Sequence, residues 1–302
     1  HDALPIYLEG GQTYNWTNDR VYVLDGFVFL EEGGVLNIQE GTVIKARETP
    51  SNNDNASALI ITRGAQIIAE GTEEAPIIFT SELDDTDDPT DLTATDRGLW
   101  GGLILLGRGV IANPTPETRI EGIPEGEDRA LFGGTDDSDN SGILRYISIR
   151  HGGAELAPGD EINGLTLGAV GSGTRIDHVE VLANSDDGIE FFGGTVAVKF
   201  ATVAFCGDDA FDWDLGYRGK GQFWFALVAE DTGDNTGELD GAKPDDGEPH
   251  AAPTLYNITF LGAGCDGGAQ NNTGLLFRDG SGGFVYNSIF TANKFGIEVE
   301  DI

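Results

Sequence analysis

The 302 residues contain no methionine, and cysteine occurs only at Cys206 and Cys265. A chain that starts at His1 without Met reads as a mature form, whose initiator and any signal peptide are already gone. Two cysteines leave two readings open, an extracellular disulfide or a pair of buried free thiols. Positive charge is scarce, with 17 Lys and Arg against 52 Asp and Glu and a formal net charge of −35. Such a field repels nucleic-acid phosphates and anionic membranes, which excludes both as partners, and it attracts divalent cations. No run of 18 apolar residues is present, so no apolar helix spans a bilayer. No Ser-His-Asp order, phosphate-binding loop or zinc-ligand spacing occurs either, which removes the commonest hydrolytic, nucleotide and zinc chemistries. No segment keeps a 3.6-residue apolar period long enough for a major helix.

Glycine is plentiful, at 45 residues, and 39% of the chain is hydrophobic, enough for a large core and too much for a disordered chain. The apolar residues fall in short alternating runs of Val, Ile and Phe, separated by Gly, Asn and Asp turns, which is strand-and-turn chemistry. These runs repeat. GVLNIQEGT (34–42) matches GAQIIAEGT (64–72), and LIITRG (59–64) matches ILLGRG (104–109). IDHVEVLANSDDGIEFFGGTVA fills 176–197 and VKFATVAFCGDDAFDWDLGYRG fills 198–219, so Asp186 and Asp187 return as Asp208 and Asp209 after 208 − 186 = 22 residues. Related units follow in LYNITFLGAGCDGG (255–268), GLLFRDG (274–280) and VYNSIFTANKFGIEVED (285–301). Units this short cannot bury a core alone and must stack. Matched positions recur once per unit, not in mirrored order. The reading is therefore an all-β parallel β-helix of roughly ten coils about 4.8 Å apart.

The coil pattern resembles the right-handed parallel β-helices of the pectate-lyase-like superfamily. More narrowly, GAQIIAEGTEEAPIIFTS, DDSDNSGILRYISIRHGGAE, and the run from DDGIEFFGGT through FCGDDAFDWDLGYRGKGQFW look like a group of secreted bacterial surface proteins. The resemblance covers nearly the whole chain. It implies a fold and an extracellular or cell-surface address, and hardly an activity.

Three acidic segments interrupt the coils, at 82–96, 113–142 and 229–250, and read as long surface loops. No composition shift marks a linker, so residues 1–302 form one domain. The chain stops at GIEVEDI in mid-coil, which predicts either that the native chain continues past Ile302 or that another molecule, such as a second copy, docks on this end.

Alternation puts Ile189, Phe191, Phe211 and Trp213 inside the cylinder and Glu190 over Asp212 outside, with Asp214 in the next outward column. Glu298 continues the first column after Leu276 breaks it. Two carboxylates about 4.8 Å apart repel by roughly 1 kcal/mol in water and about 3–4 kcal/mol at an effective dielectric of 20. Such a ladder needs solvation, protons or a cation. The turn aspartates also close turns on backbone N–H groups.

The sharpest metal signal is DSDNSG, 137–142. Asp137, Asp139 and Ser141 alternate and a glycine follows, as in the first half of a calcium loop, although Ser148 stands where an EF-hand has its Glu. Calcium is the cofactor this pattern predicts. Paired carboxylates are also the working parts of glycosidases, and Asp186, Asp187, Asp208 and Asp209 resemble the adjacent-Asp pairs of polygalacturonase-type β-helices. That family's Asn-Thr-Asp turn and Arg-x-Lys strand are missing here, while HGG is present at 151–153. A lyase would need calcium and a basic residue, for which Arg218 and Lys220, beside Trp224, are the candidates. The sequence thus reads as a secreted, calcium-stabilised surface, adhesive or structural module able to assemble end to end. The alternative is a polysaccharide-active enzyme.

Overall fold

The computed structural model describes residues 8–52, 54–157, 160–242, 244–264 and 272–300. Each short apolar run forms a strand that pairs in parallel with its counterpart one coil away. A nine-stranded sheet, here sheet A, stacks Phe27–Leu30, Ala58–Ile61, Leu103–Leu106, Leu165–Gly168, Ile189–Phe192, Phe211–Asp214, Gly237–Leu239, Thr273–Phe277 and Phe295–Val299. A fourteen-stranded sheet B makes the rest of the wall. Its long strands, Gly142–Arg150, Arg175–Leu182, Ala197–Ala204 and Lys220–Leu227, each bend once. The bend is a single left-handed residue, at Tyr146, His178, Phe200 and Phe223, with φ between 48 and 59°. Pairing runs up to Arg145 with Asp177, skips the bend and resumes at Ile147 with Val179. One left-handed residue therefore turns a corner while both flanks stay in register. The four corner rings stack at centroid spacings of 4.3, 4.5 and 5.0 Å, which offsets part of the left-handed penalty of about 1–2 kcal/mol per residue.

The repeat register holds. Ile189 pairs with Phe211, Glu190 with Asp212, Phe191 with Trp213 and Phe192 with Asp214. Ile189, Phe191, Phe211 and Trp213 are buried inside the cylinder, where Phe191 stacks on Tyr217 at 4.4 Å and Phe211 on Trp224 at 4.6 Å. Gly188 opens this pair of coils because nothing larger fits there. A Cβ on it would lie 2.2 Å from Val203 Cγ1 and 2.6 Å from the Ala210 carbonyl oxygen. Cys206 is a buried free thiol; Cys265 and the chain end at Ile302 lie outside the described residues.

A second apolar cluster lies outside the cylinder, on the outer face of sheet A. Phe29, Ile60 and Ile104 project outward there and are covered by Ile111, Ile120, Ile123 and Phe132. Most of these covering residues belong to the 113–142 segment, which carries the antiparallel pair Glu117–Arg119 and Leu131–Gly133. The segment is thus a lid over half of sheet A, not a free loop. The 82–96 segment is tied down as well, since His151 Nδ1 donates to the Asp96 carbonyl at 2.6 Å. The 229–250 segment differs from its reading as a surface loop. Its Gly237–Leu239 is a rung of sheet A, paired with Phe211–Asp214 on one side and Thr273–Phe277 on the other.

Candidate metal centre

The outward row of sheet A changes character along the solenoid. Strand pairing aligns Phe29, Ile60, Ile104, Thr166, Glu190, Asp212, Glu238, Leu276 and Glu298 in one column. The apolar half lies under the lid. The acidic stretch begins where the apolar contacts stop, and three successive coils contribute Glu190, Asp212 and Glu238. Glu190 is 6% exposed, so it points out of the cylinder without reaching bulk water.

The turn before sheet A adds a second set of acids. Asp187 and Asp209 are buried, while Asp186, Asp208 and Asp234 reach solvent. The Asp187 Oδ1 accepts from the Asp209 N–H at 2.9 Å, and Asp209 Oδ1 from the Asn235 N–H at 2.5 Å. Asn235 Oδ1 accepts from the Thr273 N–H at 3.1 Å. These side chains do satisfy backbone N–H groups, but of the next coil and not of their own turn. Asp187 and Asp209 each have a second carboxylate oxygen for other work, while Asn235 Nδ2 donates to Glu238 Oε2 at 3.3 Å.

Three groups of three carboxylates follow, each with oxygens within 4.8 Å of one another: Asp186, Asp187 and Asp208; Asp187, Glu190 and Asp212; Asp208, Asp209 and Asp234. They share Asp187 and Asp208, so the groups form a chain along the solenoid. Burial first, and neighbouring carboxylates second, push the protonation of Asp187, Glu190, Asp209 and Asp212 well above the usual carboxylate range. Asp186 is pushed up to about 8 by burial and by Glu121, Asp208 and Glu161. Glu238 rises to about 7, where burial outweighs the opposing pull of Arg278.

Arg278 marks the difference between the two ends of this row. It pairs with Glu238, and with Asp240 through Nε at 2.8 Å and Nη2 at 2.9 Å. That end carries its own cation. Around Asp187, Glu190 and Asp212 the side-chain hydrogen-bond partners are an amide and further carboxylates, and Arg278 acts on Asp212 only through its field. Asn163 Nδ2 donates to Glu190 Oε2 and, at 3.2 Å, to Glu121 Oε1. The Oδ1 atoms of Asn163 and Asp212 are enclosed without a hydrogen-bond partner. A hard divalent cation bound by oxygens at about 2.3–2.6 Å fits such a donor set, because oxygens on opposite sides of it stand about 4.8 Å apart.

The residues of the DSDNSG turn are placed differently. Both Asp137 oxygens are taken by the Arg218 guanidinium, at 2.9 and 2.8 Å, and Oδ1 also accepts the Val110 N–H at 2.9 Å. Burial raises the Asp139 carboxyl, and Ser141 Oγ stands 3.5 Å from it. Asn140 Oδ1 closes the turn on the Gly142 N–H at 2.8 Å. The turn is held by an arginine and by its own hydrogen bonds. The proposed basic sugar seat is not assembled either. Trp224 is inside the core with its Nε1 on the Val198 carbonyl at 3.0 Å, Arg218 is engaged by Asp137, and Lys220 opens a strand of sheet B. Asp214 is buried in the next column, its Oδ1 accepting the Leu215 N–H at 2.5 Å.

Asp186, Asp187, Glu190, Asp208, Asp209 and Asp212 are brought together as the 22-residue repeat implies. Sequence reasoning missed Glu238, Asp240 and Asn163. Glu238 sits on the rung hidden in the 229–250 segment and Asp240 directly follows it; the motif Asn163-Gly164, one coil before Asp187-Gly188, was a signal for the third.

A family model described as a pectate-lyase-like β-helix domain matches residues 10–302. No curated protein and no solved structure matches the chain.

Proposed function

Because the chain belongs to the pectate-lyase-like β-helix family, we propose that it serves as an extracellular β-helix module, a surface, adhesive or structural element stabilised by calcium in the acidic row of sheet A. The observation that carries this reading is the asymmetry of the row, with Arg278 neutralising one end and, at the other, the buried Asp187 and Glu190 beside the half-buried Asp212. Oxygen-only donors drawn from separate coils favour calcium over magnesium, which demands tighter octahedral geometry and keeps several of its waters. The net charge of −35 suits a surface that gathers cations and stays soluble. Self-association belongs to the same reading.

Thermal unfolding in calcium, in magnesium and in chelator tests the cation. Calcium at a hundredfold excess over its Kd should add roughly 2.7 kcal/mol, a rise of several degrees in Tm. Sedimentation of the same samples reads self-association. An unchanged midpoint in calcium would remove the reading.

One observation favours the enzyme alternative. Asp186 and Glu238, held up to about 8 and about 7, are carboxyls able to donate a proton near neutrality. Release of reducing ends or unsaturated products from acidic or neutral glycans, abolished by Asp186→Asn, would decide for it.

A further inference from the structure

We propose that the cation at Asp187, Glu190 and Asp212 occupies an enclosed site completed by Asn163 and Glu121, so that binding it fastens the 113–142 lid to the solenoid. This rests on the cation reading above and adds to it which oxygens close the site and what closing does.

Asn163 carries the argument. It heads the column Asn163, Asp187, Asp209, Asn235, in which the later side chains each turn an oxygen toward the N–H of the next coil. Asn163 breaks that rule. Its amide is turned into the acidic cluster, with Nδ2 on Glu190 and Glu121, and its Oδ1 has no hydrogen-bond partner although the residue is only 1% exposed. A buried amide oxygen without a donor is unfavourable, and an amide oxygen is a normal ligand for a hard cation. Asp212 presents a second enclosed oxygen of the same kind from the opposite coil.

The ligands come from separate pieces of chain. Asn163 precedes the Leu165–Gly168 rung, Asp187 and Glu190 belong to the next coil, and Asp212 to the coil after it. Glu121 comes from the lid, between Ile120 and Ile123, which pack in the outer apolar cluster. An ion here would join three coils and the lid at one point. The neighbouring groups built on Asp186, Asp208 and Asp234 reach solvent. The lid is also held by its apolar contacts, so losing Glu121 should loosen it without unfolding the protein.

Hydrogen exchange of the peptide spanning 113–130, with calcium and with chelator, reads the coupling directly. In the wild type, calcium should slow exchange there by about tenfold or more. Glu121→Gln and Asn163→Ala should each weaken calcium binding at least tenfold by calorimetry, and Glu121→Gln should abolish the calcium-dependent slowing. Asp91→Asn, on the separate 82–96 segment, should leave both unchanged. A calcium-dependent rise in Tm with no change in exchange over 113–130 would overturn the inference and leave the cation reading standing. Absence of both effects would overturn the two together. Should either variant fail to fold, the wild-type exchange comparison still decides.

Discussion

Phe191 shows what a single position in this protein is asked to do. It is fully buried, stacks on Tyr217 at 4.4 Å, and lies parallel to Trp224 at 5.7 Å. Truncating it leaves a hole that rigid strands above and below cannot close. Phe191→Ala should cost about 3–5 kcal/mol in denaturant unfolding, as core aromatic truncations do; a loss under about 1 kcal/mol would show that the coil can collapse around the gap. At this scale the sequence was legible where strand alternation rules. The two-residue period says which side chains enter the cylinder, and Ile189 over Phe211 follows from it. It does not say what covers the outward set. Alternation points Glu190 out of the cylinder and leaves solvation, protons or a cation open; the side chain is enclosed, because Glu121 reaches it from a segment 190 − 121 = 69 residues earlier. Local patterning carries no record of a contact that distant.

Among the elements, sheet A holds the chemistry, and its titration has a definite sign. Asp186 and Glu238 keep their protons in the folded state up to about 8 and about 7, against 3.8 and 4.5 in the absence of the fold. Between those limits the folded chain binds more protons than the unfolded one, so stability falls as pH rises. The groups responsible are named by the geometry: Glu121, Asp208 and Glu161 face Asp186, while Asp240, Asp234 and Asp208 face Glu238 against the single cation Arg278. In chelator, Tm should therefore be highest near pH 5 and decline steadily toward pH 8. Saturating calcium should flatten or reverse that decline, because the ion takes over from the protons. A chelator profile that climbs from pH 5 to 8 would contradict the assignment of burial as the dominant cause. The elements themselves were readable wherever a coil keeps its 22-residue length. Gly237–Leu239 escaped because Glu238 follows Asp212 after 238 − 212 = 26 residues, and a three-residue strand beginning with Gly has no alternation to reveal it. The calcium-loop spacing of 137–142 was legible as well, but Arg218 arrives there from 81 residues away.

For the molecule as a whole, the parallel ladder makes each coil structurally equivalent to the next, and this separates architecture from activity. The family match and the strand pairing establish the β-helix along the chain, whereas the acidic row occupies only a few consecutive rungs of one face. A second consequence follows for how such a chain tolerates change in length. Residues 176–197 and 198–219 are interchangeable in register, with Arg175 aligned on Ala197 and Ile176 on Val198. Removing 22 residues from Ile176 to Ala197 should join two matching ends and return a folded solenoid one storey shorter. Circular dichroism of that deletant should remain β-rich and its melting cooperative. Removing 21 or 23 instead shifts the alternation by one, turning carboxylates into the cylinder and Phe side chains out to water, and should give no folded product. Length in this protein is therefore quantised: the chain can be shortened or extended by whole storeys, and each storey added beside Asp187 and Asp209 would bring its own acids to the face.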